Sequence, residues 1–331
     1  MQNSKFQDKI EDEKEMKIGK VAVLCGGPSN EREISLRSGD SVYKALLAAG
    51  LNAVLLDVKN DIHDIIGSVG MDVAFISLHG KFGEDGTIQK MLEDADIPYT
   101  GSGVEASRLA LDKIASKKVF SENSIPSPAY AVLKKDVFKN ISGSGFKAVE
   151  KLGWPLVVKP QFEGSSIGLS IARDGSSLRK GLEDAFRYGD EVVIEEYIDG
   201  RELTVGILGG RALPVIEIVP GSGVYDYEAK YNAPDTRYLV PAPIDARASM
   251  VACELAERAH AALGCRSFSR VDMMMNKSGR IFVLEVNTIP GMTDRSLLPK
   301  AAGAAGISFS ELCVKLVKDA VNEHRKNTEI R

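Results

Sequence analysis

The stretch RVDMMMNKSGRIFVLEVNTIPGMT, residues 270–293, sets two β-rich runs on either side of a turn signal and places a carboxylate in each run. Asn276-Lys277-Ser278-Gly279 between extended runs predicts a hairpin. Side chains alternate along a strand, so Arg270 shares one face with Asp272, and Glu285 shares one with Asn287. If Met275 pairs with Arg280, Asp272 stands opposite Val283, and Asp272 and Glu285 are diagonal neighbours roughly 7–8 Å apart at the backbone. The other face then collects Val271, Met273, Met275, Phe282, Leu284 and Val286, all apolar. Two carboxylates and an amide oxygen without His or Cys suit a hard cation such as Mg²⁺ better than zinc. A solvated face on which Arg270 pairs with Asp272 accounts for the same residues, and the hairpin alone does not separate the two.

Outward from the hairpin, the chain alternates strand and helix signals. The segment from Lys20 to Leu24 reads as a short buried strand, Gly26-Gly27-Pro28 as a turn, and a helix is expected from about Asn30, with Asn30 and Glu33 as a capping box. NAVLLDV and DVAFISLHG supply further strands, which predicts a parallel α/β unit with ligand loops at the strand C-terminal ends. A boundary is expected in the helical stretch ending at Pro126. Beyond it AYAVL, PLVVKP, LSIAR and EVVIEEYI are extended and SLRKGLEDAFRYG is helical, an α+β pattern. Strands ELTVGILG and LPVIEIV, a helix SMVACELAERAHAAL, the hairpin and a C-terminal helix follow. Pro220 to Pro243 lacks a regular pattern but carries Tyr225, Tyr227 and Tyr231, which favours an ordered lid.

Composition narrows the class. The 331 residues suffice for two or three domains, and a net charge of −4 with 42 basic against 46 acidic side chains carries no nucleic-acid footprint. Cys25, Cys253, Cys265 and Cys313 show no CxxC spacing and read as free thiols of a reducing compartment. No apolar run approaches the roughly 20 residues that span a bilayer. The first 20 residues hold five acidic and five basic side chains without an apolar core, so a mobile extension and a cytoplasmic location are expected.

GSGVEA (101–106) and GSGFKA (143–148) match GxGxxA only loosely, and no GxxxxGK[ST] occurs. VVKPQFEGSSIG, residues 157–168, is more informative. A strand ends at Lys159-Pro160, and Gly164, Ser165, Ser166 and Gly168 form a small-residue loop that lets backbone N–H groups approach phosphate oxygens. An ordinary hairpin tip with a surface lysine fits the same letters. EEYIDGRE, residues 195–202, puts Glu195 and Glu202 where they could accept from a base amine and a ribose, or simply face solvent. Of the four histidines, His79 sits at a strand end in a site-like position, His260 lies on a helix, and His63 and His324 read as surface residues.

Taken together, GGPSNEREISLRSG, SLHGKFGEDGTIQ, YTGSG, LDK, VVKPQFEGSSIG, EEYIDGRE, YDYEAKY, GCRSFSRVD and EVNTIPGMT, in this order from about Lys20 onward, resemble the ATP-grasp enzymes and, within them, the D-alanine–D-alanine ligases. The resemblance implies a three-domain α/β fold: an extension over 1–18, an N-terminal α/β domain over 19–112, a central domain over 113–199, and a C-terminal domain over 200–331 with a lid at 220–243. It implies ATP as cofactor, with Lys113, Lys159, Ser165 and Lys230 near the phosphates, Glu195, Glu196 and Ile198 reading adenine, and Glu202 holding the ribose. Asp272, Glu285 and Asn287 would bind two Mg²⁺ ions, for which Mn²⁺ substitutes. Glu31 would take the first substrate's ammonium group, with Ser165 and Tyr231 as its partners. Arg270 and the Gly291 N–H would stabilise an oxyanion, while His79 lies near the first D-alanine and Ser296 and Leu297 near the second. The implied reaction joins two D-alanines through a D-alanyl phosphate for peptidoglycan precursors, in a homodimer. A ligase accepting D-lactate or D-serine and a non-catalytic nucleotide-binding regulator are the rival readings. Arg295 departs from the family pattern at the second subsite, and Ile289 stands where some relatives carry a small polar residue.

Overall fold

The computed structural model describes residues 18–58, 70–140, 149, 151–221 and 235–329. Lys230, Tyr231, most of the expected lid, His63, GSGFKA and residues 1–17 of the N-terminal extension lie outside the described residues.

In chain order, β1 (Val21–Gly26), α1 (Arg32–Ala48), β2 (Ala53–Val58) and β3 (Val73–Ile76) come first, followed by α2 (Thr87–Asp94), α3 (Val104–Leu111) and α4 (Lys113–Glu122). The middle of the chain gives β4 (Tyr130–Lys134), α5 (Lys135–Asn140), β5 (Leu156–Pro160), β6 (Ser170–Ala172), α6 (Gly175–Ala185) and β7 (Glu191–Glu196). The last part supplies β8 (Gly200–Leu208), β9 (Arg211–Ala212), β10 (Ile216–Val219), β11 (Arg237–Leu239), α7 (Ala246–Ala262), β12 (Phe268–Asn276), β13 (Ile281–Asn287), α8 (Leu297–Ala304) and α9 (Phe309–Glu329).

Three sheets result among the described residues. The first is parallel, in the order β2-β1-β3, and β1 is buried along its whole length, as a central parallel strand covered on both faces must be. The second is antiparallel, β4-β7-β5-β6, and the third runs β11-β10-β8-β12-β13, with β9 beside β8. No helix among the described residues is long and apolar enough to cross a membrane.

The packing explains how a cleft arises. Val21, Val23 and Phe75 of the first sheet share one apolar cluster with Ile216 and Phe268 of the third and with Leu298, Leu312 and Leu316 of α8 and α9. The second sheet has its own core of Leu156, Val158, Leu178, Leu182, Val192 and Ile194. Each such fully buried side chain contributes about 1.5–3 kcal/mol, so the outer two units are welded and the middle one is built independently.

Three expectations need correction. The helix α1 begins at Arg32 with Glu31 as N-cap and no side-chain capping bond, so the Asn30–Glu33 box does not form. Ser29 is occupied instead: its Oγ accepts from Glu31 N–H (3.2 Å) and donates to His79 O (2.6 Å). Within the stretch read as irregular, Arg237–Leu239 forms an edge strand, because Val219, Ile218 and Glu217 offer it an antiparallel partner. His324 is not a bare surface group but half-buried opposite Asp96 (3.6 Å).

The seating of α1 on β1 rests on Gly39. A Cβ there would lie 2.4 Å from Cys25 Cβ, an atom that cannot swing away. Alanine would gain up to about 1 kcal/mol in helix propensity, but overpacking costs about 1–3 kcal/mol. Gly39→Ala is therefore expected to lower the urea midpoint at unchanged m-value. A midpoint at or above the parent's would show that this contact is slack.

Candidate functional site

Loops at the C-terminal ends of β1 and β3 bring Glu31 and His79 together. Both are buried, and Gly80 is constrained there because a Cβ would come within 2.7 Å of Glu31 Oε2. From the second sheet the loop after β5 reaches across: Ser165 Oγ donates to Glu31 Oε1 in a short hydrogen bond. Ser165 and Ser166 are held at φ +48° and +59°, backbone conformations that cost free energy in non-glycine residues and cluster where a loop must present its groups to a ligand. Glu31, His79, Arg270, Gly291, Ser296 and Leu297 line one cavity of about 700 Å³.

The hairpin forms, but in a different register from the expected one. Asn276 Oδ1 accepts from Ser278 N and Arg280 N, and Asn276 N–H donates to Arg280 O, so Met275 faces Ile281 rather than Arg280. A bulge between Asp272 and Met273 then leaves Leu284 as the extra residue and sets Asp272 directly opposite Glu285, not diagonal to it. Because of that bulge, Ile281, Val283 and Val286 join Val271, Met273 and Met275 in the core, while Leu284 turns into the cleft beside Met274. Phe282 pairs with Met274 and so belongs to the face opposite the one expected.

On the polar face, Arg270 grips Asp272 with both arms (Nε–Oδ1 2.9 Å, Nη2–Oδ2 2.7 Å), and Thr204 Oγ1 donates to Oδ1 (2.6 Å). The plain ion pair read from the sequence is thus real. It coexists with a donor set fit for a hard cation, since Asp272 Oδ2 retains acceptor capacity and Glu285 and Asn287 stand on the same face. No three His, Cys, Asp or Glu side chains among the described residues form an ion cage. The third oxygen on this face is the Asn287 amide, which also accepts from Ile289 N (2.9 Å), and the chemistry of the three fits Mg²⁺, which takes one or two carboxylates and completes its shell with water and phosphate.

A second, narrower cavity of about 160 Å³ opens between the second and third sheets. Val157, Leu169, Ile171, Met274 and Leu284 give it apolar walls, and Lys159, Glu195, Glu196, Ile198 and Glu202 give it polar groups. The two cavities share Lys113, Gly164 and Glu285. Lys113 Nζ donates to Glu163 O (2.5 Å) and stands 3.7 Å from Glu285 Oε2. Glu195 is buried, and its Oε1 is held by Lys117 Nζ (2.8 Å) and Lys159 Nζ (2.9 Å). Burial works to raise its pKa, but Lys159 and Lys117 overcome this and keep the carboxyl below its ordinary range. Glu196 accepts from Ala129 N (2.9 Å).

At the far wall, Ser296 precedes α8, and its Oγ accepts from Thr293 N–H (3.0 Å). Gly291 packs so tightly that a Cβ would meet Ser296 Oγ at 2.9 Å. Burial lowers the pKa of His79, so its ring is neutral, with Ser38 Oγ 3.3 Å from Nε2.

Glu84 lines the same cavity. Burial first, and then the Glu31 charge, push it up to about 8, against a Gly80 N–H donated to Oε2 (2.8 Å). Between its ordinary 4.5 and about 8 the native chain holds a proton that the unfolded chain has released. Native stability therefore falls as pH rises through that window and levels off above it. Glu84→Gln keeps the acceptor without the charge and is expected to flatten the dependence, so that the variant gains on the parent most above about pH 8. Urea midpoints measured across the window check this, and parallel curves would show that Glu84 is ionised in the native chain.

Residues 119–318 match the family model described as D-ala D-ala ligase C-terminus, and residues 61–102 match D-ala D-ala ligase N-terminus. A D-alanine–D-alanine ligase of Citrifermentans bemidjiense is 48% identical over 306 residues, 92% of this chain and 97% of the relative. The chain belongs to the D-alanine–D-alanine ligase family. Among solved structures, the Bacillus anthracis D-alanine–D-alanine ligase complexed with ATP superposes with a TM-score of 0.82 at 36% identity, covering 94% of this chain and all of that one. The VanG D-Ala:D-Ser ligase of Enterococcus faecalis gives 0.78 at 32%, covering 91% and 99%. The fold is the ATP-grasp fold.

The described residues expected to bind substrate, nucleotide or metal line two joined cavities. Sequence reasoning missed the apolar walls Met274 and Leu284, the Thr204 hydroxyl, Glu84 and Lys117. Only Lys117 left a readable trace, since it follows Lys113 by four residues and so shares its helix face.

Proposed function

We propose that the chain uses ATP to join two D-alanine molecules into D-alanyl-D-alanine through a D-alanyl phosphate, supplying peptidoglycan precursors. The observation that carries this reading is the meeting of the Glu31–His79–Arg270 cavity with the Lys159–Glu195–Glu202 cavity at Lys113, Gly164 and Glu285. An amino acid bound in one would present its carboxylate to a triphosphate bound in the other.

Glu31, braced by Ser165, takes the ammonium of the first D-alanine, with His79 beside it. The carboxylate of that D-alanine attacks the γ-phosphorus, giving the acyl phosphate and ADP, while Lys113 and Lys159 act on the phosphate charge. Adenine lies between the apolar walls near Glu195, Glu196 and Ile198, and Glu202 holds the ribose. The second D-alanine places its carboxylate at the N-terminus of α8, near Ser296 and Leu297, where helix N–H groups favour an anion. Its amine attacks the acyl carbon, Arg270 and the Gly291 N–H stabilise the oxyanion, and phosphate leaves. Two Mg²⁺ ions, or Mn²⁺, held by Asp272, Glu285 and Asn287 would offset charge on the phosphate oxygens. Lys230 and Tyr231 enter through the family resemblance, as do a homodimer, a cytoplasmic location and domain limits at 19–112, 113–199 and 200–331.

The test is a mass spectrum of the products from ATP, Mg²⁺ and D-alanine, alone and with equimolar D-lactate or D-serine. D-alanyl-D-alanine with matching ADP release is expected to dominate each mixture. Equal yields of the mixed product would favour the rival ligases, and no ADP release would favour the non-catalytic regulator.

A further inference from the structure

Among the described residues, the mechanism above leaves one buried cation unused. Lys117, on α4, is 1% exposed and ranks among the largest fully buried side chains of the described residues. Its Nζ lies 2.8 Å from Glu195 Oε1 and 3.5 Å from Pro128 O, with the Tyr130 ring 5.2 Å away. Those partners hold it behind Glu195, and it does not line the cleft, whereas Lys159 and Glu195 do. One carboxylate oxygen thus stands between two ammonium groups, one facing the cleft and one facing the interior. A buried lysine is costly unless paired, and burial pulls Lys117 below its ordinary range even with Glu195 beside it.

From this arrangement we infer that Lys117 is a positioning residue: it supplies a standing counter-charge to Glu195, which frees Lys159 to turn from that carboxylate to the phosphate oxygens of a nucleotide. With Glu195 served by Lys159 alone, moving Lys159 to a phosphate would strand a buried carboxylate. With Lys117 present, the carboxylate keeps a partner while Lys159 moves. This inference rests on the nucleotide reading of the cleft.

The test compares ATP, with Mg²⁺, against adenosine in competition titrations of the full chain without D-alanine. The affinity gained from the phosphates is the ratio of the two dissociation constants. Lys117→Met is expected to reduce that ratio about tenfold, the scale of one lost charge-assisted hydrogen bond, while adenosine affinity stays within about twofold. Lys117→Met combined with Glu195→Gln removes the competing carboxylate and is expected to return the ratio to within about threefold of the parent's. An unchanged ratio in the single variant, adenosine and ATP weakened alike, or a double variant with no recovery would each overturn the inference. A parent that gains no affinity from the phosphates would instead overturn the nucleotide reading, and this inference with it.

Discussion

Replacing Glu285 with glutamine is expected to lower turnover by about 10³, because the proposed metal role assigns this carboxylate roughly 4 kcal/mol of charge compensation at the phosphates. Glu285 faces Asp272 across the hairpin, approaches Lys113 at 3.7 Å and lines both cavities. Its side chain is 29% exposed, and Lys113 keeps the Glu163 carbonyl as an acceptor, so the urea midpoint should stay near the parent's. Two measurements check the assignment: steady-state ADP release at saturating Mg²⁺, and Mn²⁺ binding followed by electron paramagnetic resonance in the presence of ADP. Both should fall. Turnover within a few-fold of the parent together with undiminished Mn²⁺ binding would sink the metal role of this face.

The second large effect is expected at Arg270. Its guanidinium is only 14% exposed and binds Asp272 through two parallel hydrogen bonds. Arg270→Met removes a preorganised donor from the cavity, and loss of one oxyanion donor costs about 10²–10³ in turnover. ATP affinity should change far less, which separates this residue from Glu285. Arg270→Lys keeps the charge but not the planar fork, so it should fall between parent and methionine variant. Turnover at the parental level in the lysine variant would show that charge alone suffices at this position. The side chain also neutralises Asp272, so Mn²⁺ binding should hold or tighten in the methionine variant, the opposite of its response to Glu285→Gln.

The buried strands, the turn at Asn276–Gly279 and the helix from Gly175 could be read in advance because each is a local pattern of period and turn chemistry. The donor types were legible too. Asp272, Glu285 and Asn287 alternate with apolar residues, and Gly164 to Gly168 is a small-residue loop, so the class of chemistry follows from composition at those positions. At the start of α1 the local rule misled. Glu31 stands where a capping side chain would sit, but its carboxylate is turned to Ser165.

The amino-acid sequence by itself determined which groups the protein carries, the order of its strands and helices, and the family to which it belongs. Tertiary structure decided which of those groups meet. The Ser165–Glu31 bond joins residues 134 positions apart, and Glu195 acquires Lys117 and Lys159 from a helix and a strand that only packing brings together. The bulge that seats Glu285 opposite Asp272 shifts the pairing by one residue, a choice made by which of Val283 and Leu284 the core accepts. Periodicity acts within a window of a few residues, whereas these contacts are selected by burial and charge compensation across three sheets, and so they exist only once the chain has folded.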